Sequence, residues 1–227
     1  MKAQPYSFQA TIQKDVALDY FLYLPAGYEG SDKEWPLILF LHGMGERGDD
    51  LELLKLYGIP KNIEGGMTFP FIIAAPQCPM DTIWSHELDA LRALLDLLIG
   101  KYRVDTSRIY LTGLSMGGSG SWHFATEYPS LFAAVVPICG WAEPYTGFPD
   151  KVKAIKDVPI WVFHGAKDDV IPLSSSQELV EVLEAHQGNV KFTIYPDLDH
   201  DSWSEAYANP ELYQWLLKQQ NQVLPKR

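Results

Sequence analysis

Five short, mostly apolar runs constrain what this chain can fold into more than any other feature: Pro36–Leu41 (PLILFL), Phe71–Ala75 (FIIAA), Arg108–Thr112 (RIYLT), Ala133–Ile138 (AAVVPI) and Pro159–Phe163 (PIWVF). A strand without a regular polar alternate has no face to offer water, so these runs read as strands buried on both faces. Each is followed by a loop and then mostly by a helical pattern. Val190–Tyr195 alternates and reads as a strand nearer the sheet edge. Helical spacing is clearest over Glu87–Lys101, where Leu88, Leu91, Leu94, Leu95 and Leu98 form one stripe and Gly100 falls near the end. Ser176–His186, with Leu179, Val180 and Leu183 inward, and Pro210–Lys218 are further helices. This alternation predicts right-handed crossovers and a mainly parallel sheet covered by helices on both faces.

Upstream, Tyr6–Gln13 and Val16–Leu24 are strand-like, and the two-residue join Lys14-Asp15 is too short for a parallel crossover, so an antiparallel hairpin is expected. Trp141–Asp157, carrying Pro144, Gly147 and Pro149, reads as a loop insertion. At 227 residues, 47% hydrophobic and without repeats or linkers, the chain is expected to form one domain over residues 1–227. A net charge of -11 argues against nucleic acid, whose recognition needs clustered Lys and Arg. Cys78 and Cys139 are the two cysteines and neither sits in a CxxC, so a disulfide framework is excluded and buried thiols are expected. MKAQPYSFQA lacks a signal-peptide apolar run, and no uncharged stretch reaches membrane-spanning length, so no membrane insertion and a cytoplasmic location are expected.

The run RIYLT leads directly into Gly113-Leu114-Ser115-Met116-Gly117 and then into a helix-compatible stretch, Ser119–Tyr128. Strand, tight turn and helix are the context of a nucleophile elbow, in which flanking glycines make room for a strained serine whose hydroxyl projects free. The following helix aims its unsatisfied N–H groups at developing negative charge. A serine hydroxyl needs a base, and the base an orienting acid, in the chain order Ser, acid, His. Of six histidines, His164, His186 and His200 follow an acid that itself follows Ser115. His186 ends a surface helix, and His164 ends a buried strand ahead of the acidic candidates. His200, in the loop after the last strand, is taken as the base. The loop after the penultimate strand offers two acids, Asp168 and Asp169, while Asp197, Asp199 and Asp201 read as turn or solvent groups.

Two backbone donors are expected to hold an oxyanion: Met116 N–H, after the nucleophile, and Met44 N–H, in the glycine-rich loop His42–Gly48. Glu46 and Arg47 are expected to brace that loop as an ion pair. Among seven tryptophans, Trp84, Trp141 and Trp203 lie on loops after predicted strands and are candidates to line a substrate pocket, whereas Trp122 reads as structural.

With these residues the chain resembles the esterase branch of the α/β-hydrolases that includes phospholipase/carboxylesterase, dienelactone-hydrolase-like and polyhydroxybutyrate-depolymerase/feruloyl-esterase-like groups. The segments that carry the resemblance are PLILFLHGMGERGDD, APQCP, RIYLTGLSMGGSGSWHFATEYPSLFAAVVPICG, WVFHGAKDDVIP and YPDLDHDSW. The resemblance implies an α/β-hydrolase fold with a central sheet of about eight strands, an N-terminal antiparallel hairpin and no large lid. Its HGxxD segment implies Asp168 rather than Asp169 as the acid, a DxxHDSW-like segment matches His200, and the HGxG-type loop matches Met44. It further implies a serine-dependent carboxylic ester hydrolase for small or medium esters with short acyl, aryl or carbohydrate-linked groups, needing no metal or organic cofactor. Peptidase, amidase or thioesterase activity by the same triad is the alternative, although the propeller domain of prolyl-oligopeptidase-type relatives is missing. A non-catalytic ligand-binding version of the fold is a third reading, against which intact Ser115, Asp168 and His200 argue.

Overall fold

The computed structural model describes residues 3–221. Seven strands build one open sheet: β1 (Tyr20–Tyr23), β2 (Trp35–Leu41), β3 (Ile72–Pro76), β4 (Val104–Leu114), β5 (Ala134–Ile138), β6 (Ile160–Gly165) and β7 (Val190–Tyr195), in the order β1-β3-β2-β4-β5-β6-β7. Strands β2 to β7 are mutually parallel, and β1 runs antiparallel to β3, with Tyr20 opposite Pro76 and Tyr23 opposite Ile73.

The apolar runs produce this sheet because both of its faces are covered. Within β2, Leu37, Leu39 and Leu41 enter one core with Leu91, Leu95 and Leu98 of α2 (Leu88–Lys101), while Ile38 and Phe40 enter the other. That second layer holds Tyr207 of α5 (Trp203–Ala208) and Leu212 and Leu216 of α6 (Pro210–Lys218). Asn209 starts α6 by accepting from Glu211 N–H at 2.9 Å, and Pro210 supplies a first residue with no N–H to satisfy. The edge strand β7 keeps Lys191 and Ile194 exposed, one from each of its faces, as suits a strand covered less than the central ones. The remaining long helices are α3 (Met116–Glu127) and α4 (Ser174–Ala185).

The expected hairpin partner of β1 is not a strand. Residues 6–13 form no strand or helix, with Tyr6 and Phe8 about nine-tenths exposed, at 88% and 93%. β1 instead pairs with β3, which is already backed by two cores, so Phe21 and Tyr23 pack where a free two-stranded flap would leave them wet. Among the described residues the sheet has seven strands, close to the expected count of about eight. The insertion after β5 is a loop with two 3-10 turns, Pro144–Thr146 and Asp150–Ile155, and it buries Phe148, Val152 and Ile155 against the core. Two short helices, α5 and α1 (Gly58–Glu64), carry no periodic pattern long enough to mark them in the sequence. Among the described residues no helix is long and apolar enough to cross a membrane.

The chain leaves β2 for β3 on one side and then crosses back from β3 to β4 on the other, so the strand order reverses at β2. The carboxyl ends of the strands at such a reversal are the usual place for a site in an open parallel sheet.

Candidate active site

Ser115 occupies the single-residue turn between β4 and α3, with φ 52° and ψ -116°. A non-glycine residue in that region is strained and persists where its surroundings hold it. Here its N–H is tied to Ile138 O at 2.9 Å and its carbonyl accepts from Ser119 N–H at 3.0 Å. The glycines on either side meet a steric demand: a Cβ on Gly117 would strike the Leu41 carbonyl, and one on Gly113 the Gly117 carbonyl. The run of small residues after Ser115 lets α3 bury every position from Met116 to Thr126 against the sheet.

His200, on the loop after β7, places Nε2 2.9 Å from Ser115 Oγ and Nδ1 2.7 Å from Asp168 Oδ2. Asp168 follows β6, and its side chain is fully buried. Its Oδ1 accepts the N–H groups of Val170 at 3.0 Å and Ile171 at 2.8 Å. Asp169 is exposed and makes none of these contacts. Asp197 pairs with Lys167, Asp199 accepts from Asp201 N–H, and Asp201 caps Ser204, so the three carboxylates flanking His200 are turn and surface groups. Trp203 lies edge-on to the His200 ring.

The loop after β2 adjoins the nucleophile, since a Cβ placed on Gly43 would lie 3.7 Å from Ser115 Cβ. Met44 opens a 3-10 turn there, and Met116 is the first residue of α3, whose leading N–H groups have no intrahelical acceptor. The ring of His42 anchors the loop: Nε2 accepts from Cys78 N–H at 2.9 Å, which leaves Nδ1–H to donate to Gly43 O at 2.6 Å. Burial pushes His42 down to about 4, so it is neutral at pH 7. Gln77 donates to the Glu46 and Asp50 carbonyls at 2.8 Å each. The expected Glu46–Arg47 ion pair does not form. Arg47 donates instead to Met44 O at 3.1 Å and Thr82 O at 3.0 Å. The Glu46 carboxyl is turned inward, where burial raises its pKa against the pull of the N–H groups of Glu46, Gly43 and Gly45.

The three loop tryptophans part company. Trp84 is wholly buried, so the expected pocket role fails for it; its indole N–H donates to His42 O at 3.0 Å and its ring braces the Met44 loop from beneath. Trp203 is 9% exposed and packs between His200 and Tyr57. Trp141 lines an open cavity of about 350 Å³ with Glu143, Phe148, Ile171 and Pro172. Its indole N–H donates to Glu143 Oε1 at 2.9 Å, and the buried His123 holds Oε2 at 2.5 Å. Burial opposes ionisation of Glu143, but these hydrogen bonds outweigh it and hold its carboxyl below the usual range.

Two neighbours of Asp168 were not singled out as site residues from sequence. The fully buried His164 brings Nε2 within 3.1 Å of Asp168 Oδ2. Its HGAKD context was visible, but the segment drew attention to the acid. Cys139, at φ 40°, has its sulfur within 4.8 Å of both Asp168 and His200 ligand atoms, the one such His/Cys/Asp/Glu group among the described residues. Burial pushes the thiol up to about 12, so it is not a thiolate, the form that binds metal.

A family model described as Phospholipase/Carboxylesterase matches residues 28–209. The chain is 25% identical over 208 residues to a bifunctional acetylxylan esterase/xylanase of Neocallimastix patriciarum, covering 87% of this chain and 28% of that protein. It is 27% identical over 179 residues to a probable feruloyl esterase C of Aspergillus terreus, covering 75% of this chain and 62% of that one. A solved thermostable esterase superposes with a TM-score of 0.76 at 35% identity, over 89% of this chain and 59% of its own. The chain thus spans less than two thirds of each of these relatives.

Proposed function

Because this chain belongs to the phospholipase/carboxylesterase family of α/β-hydrolases, we propose that it is a carboxylic ester hydrolase working through Ser115 and an acyl-enzyme. What carries the reading is the unbroken hydrogen-bond chain Ser115 Oγ, His200 Nε2, His200 Nδ1, Asp168 Oδ2, with steps of 2.9 and 2.7 Å, at the carboxyl edge of the sheet. His200 takes the Ser115 proton as Oγ attacks the ester carbonyl carbon, and Asp168 steadies the resulting imidazolium. The carbonyl oxygen, now an anion, is received by the N–H groups of Met44 and Met116. Collapse breaks the bond to the alcohol oxygen, which leaves with the proton from His200. A water deprotonated by His200 then cleaves the acyl-enzyme and regenerates Ser115.

The substrate is read as a small or medium ester carrying a short acyl, aryl or carbohydrate-linked group, with Trp141 as the candidate pocket tryptophan that lines an open cavity. Ser115→Ala is expected to lower kcat on a short-chain p-nitrophenyl ester by at least about 10⁴-fold and to abolish fluorophosphonate labelling. Retained labelling or activity in that variant overturns the assignment. A panel of matched ester, thioester and amide substrates sharing one acyl group, and of esters varied in acyl and alcohol, defines the preference.

A further inference from the structure

We propose that His164 and Ser176 are positioning residues that lock the acid of the site, an inference that rests on reading Ser115, His200 and Asp168 as the reacting triad. His164 Nε2 faces two acceptors at once, Ile171 O at 3.0 Å and Asp168 Oδ2 at 3.1 Å. A ring nitrogen set between two oxygens without a proton would meet only repulsion, so Nε2 carries the hydrogen, donates it to Ile171 O and turns the same polar N–H edge toward Asp168 Oδ2. Burial holds His164 below the ordinary histidine range, against the pull of Ile171 and Asp168, and the ring is neutral. Its other nitrogen must then accept, and the Ser176 hydroxyl, 2.8 Å from Nδ1, supplies the proton. His164 and Ser176 are both 0% exposed, so water cannot take over either contact.

The consequence falls on Asp168. Its Oδ1 is filled by two backbone N–H groups from Val170 and Ile171, and its Oδ2 by Nδ1–H of His200, with Nε2–H of His164 3.1 Å away. A carboxylate held by three hydrogen bonds and abutted by a buried ring N–H has little room to rotate, and the oxygen that supports His200 is the same one that His164 touches. His164 thereby fixes the direction of Oδ2 and draws off part of the charge that stabilises the imidazolium. The relay runs Ser176, His164, Asp168, His200, Ser115, and its first member stands on α4, outside the loops that carry the triad. The titratable groups around Asp168 are His164 on β6, His200 after β7 and the neutral Cys139 thiol after β5, with Asp201 further along the His200 loop.

The test compares His164→Leu, which removes the donor, His164→Gln, which keeps an N–H near the Nε2 position, and Ser176→Ala, which frees the tautomer. On a short-chain p-nitrophenyl ester, His164→Leu is expected to lower kcat by about 10- to 100-fold with KM nearly unchanged, and to move the acid limb of the kcat profile upward by about half a pH unit. His164→Gln is expected to recover most of kcat, and Ser176→Ala to fall between. In proton NMR the low-field Nδ1–H signal of His200 is expected to shift in His164→Leu and to return toward its wild-type position in His164→Gln. A folded His164→Leu with wild-type kcat, acid limb and Nδ1–H signal overturns the proposal, as does a His164→Gln no better than His164→Leu. Should His164→Leu fail to fold, Ser176→Ala decides, and an unchanged kcat and Nδ1–H signal there overturns it. Fluorophosphonate labelling separates this from failure of the triad reading. If the triad is wrong, Ser115 is not labelled in any protein; if only the relay is wrong, every variant labels at the wild-type rate.

Discussion

Trp203 stands at right angles to His200, ring centroids 5.2 Å apart and planes at 89°, three residues further along the chain. The indole is the wall against which the imidazole rests while it spans from Asp168 to Ser115. Trp203→Ala is expected to lower kcat by about 10- to 100-fold, since a displacement near 1 Å at a reacting group carries such a cost. Trp203→Phe, which keeps an aromatic edge, is expected to lose no more than a few-fold. Steady-state kinetics of the two variants check this, with unequal losses expected and equal ones counting against the wall.

Asp168 and Asp169 are adjacent in sequence but only Asp168 reaches His200. Asp168→Asn is expected to reduce kcat by about 10³- to 10⁴-fold through a misdirected imidazole tautomer. Asp169→Asn, at an exposed position, is expected to stay near wild type. A large loss in Asp169→Asn would reverse the assignment.

His42 is buried neutral with its pKa lowered to about 4 from 6.5. The unfolded chain therefore binds a proton below about 6.5 that the folded chain refuses until about 4. The stabilisation is whole above pH 6.5 and is lost as the pH falls toward 4, amounting to about 3 kcal/mol at most. His164, also lowered, acts in the same direction. Denaturant midpoints measured from pH 7.5 to 4 are expected to fall, and to fall less steeply in His42→Gln, which starts from lower stability.

Glu143→Ala would leave the His123 imidazole and the Trp141 indole N–H without the acceptor each now uses, at depths where water gives little relief. A loss of about 2 to 4 kcal/mol is expected, read as a lowered midpoint of thermal unfolding. Glu143→Gln, which keeps an acceptor for one of the two, is expected to lose less. Equal stability in all three proteins would show that the contacts are not held in solution.

Features set by short-range chemistry were legible early. The Val190–Tyr195 strand and the Pro210–Lys218 helix have the bounds that their periodicity and flanking residues imply. Trp84 and Trp141 were alike by position, each on a loop after a strand, and nothing local distinguished them. Their separation depends on the small face of α3: Gly120 admits Trp84 so closely that a Cβ there would collide with it, while Trp141 is drawn sideways by Glu143. Tyr6–Gln13 shows the opposite error, strand periodicity without a sheet edge to join.

What the amino-acid order determines by itself is the elbow: a buried strand, glycines where a Cβ has no room, a serine between them, and an acid and a histidine following in that order. The demands of the elbow itself, the strand end, the glycines and the serine, are satisfied within a few residues of chain. What the tertiary structure decides is which groups face one another. His200 is 85 positions from Ser115 and 32 from Asp168, and their contact exists because parallel strands deliver all three loops to one edge. The inward turn of Glu46 and the placing of His164 behind Asp168 are decided in the same way, since burial and hydrogen-bond geometry belong to the packed molecule and not to any segment of it.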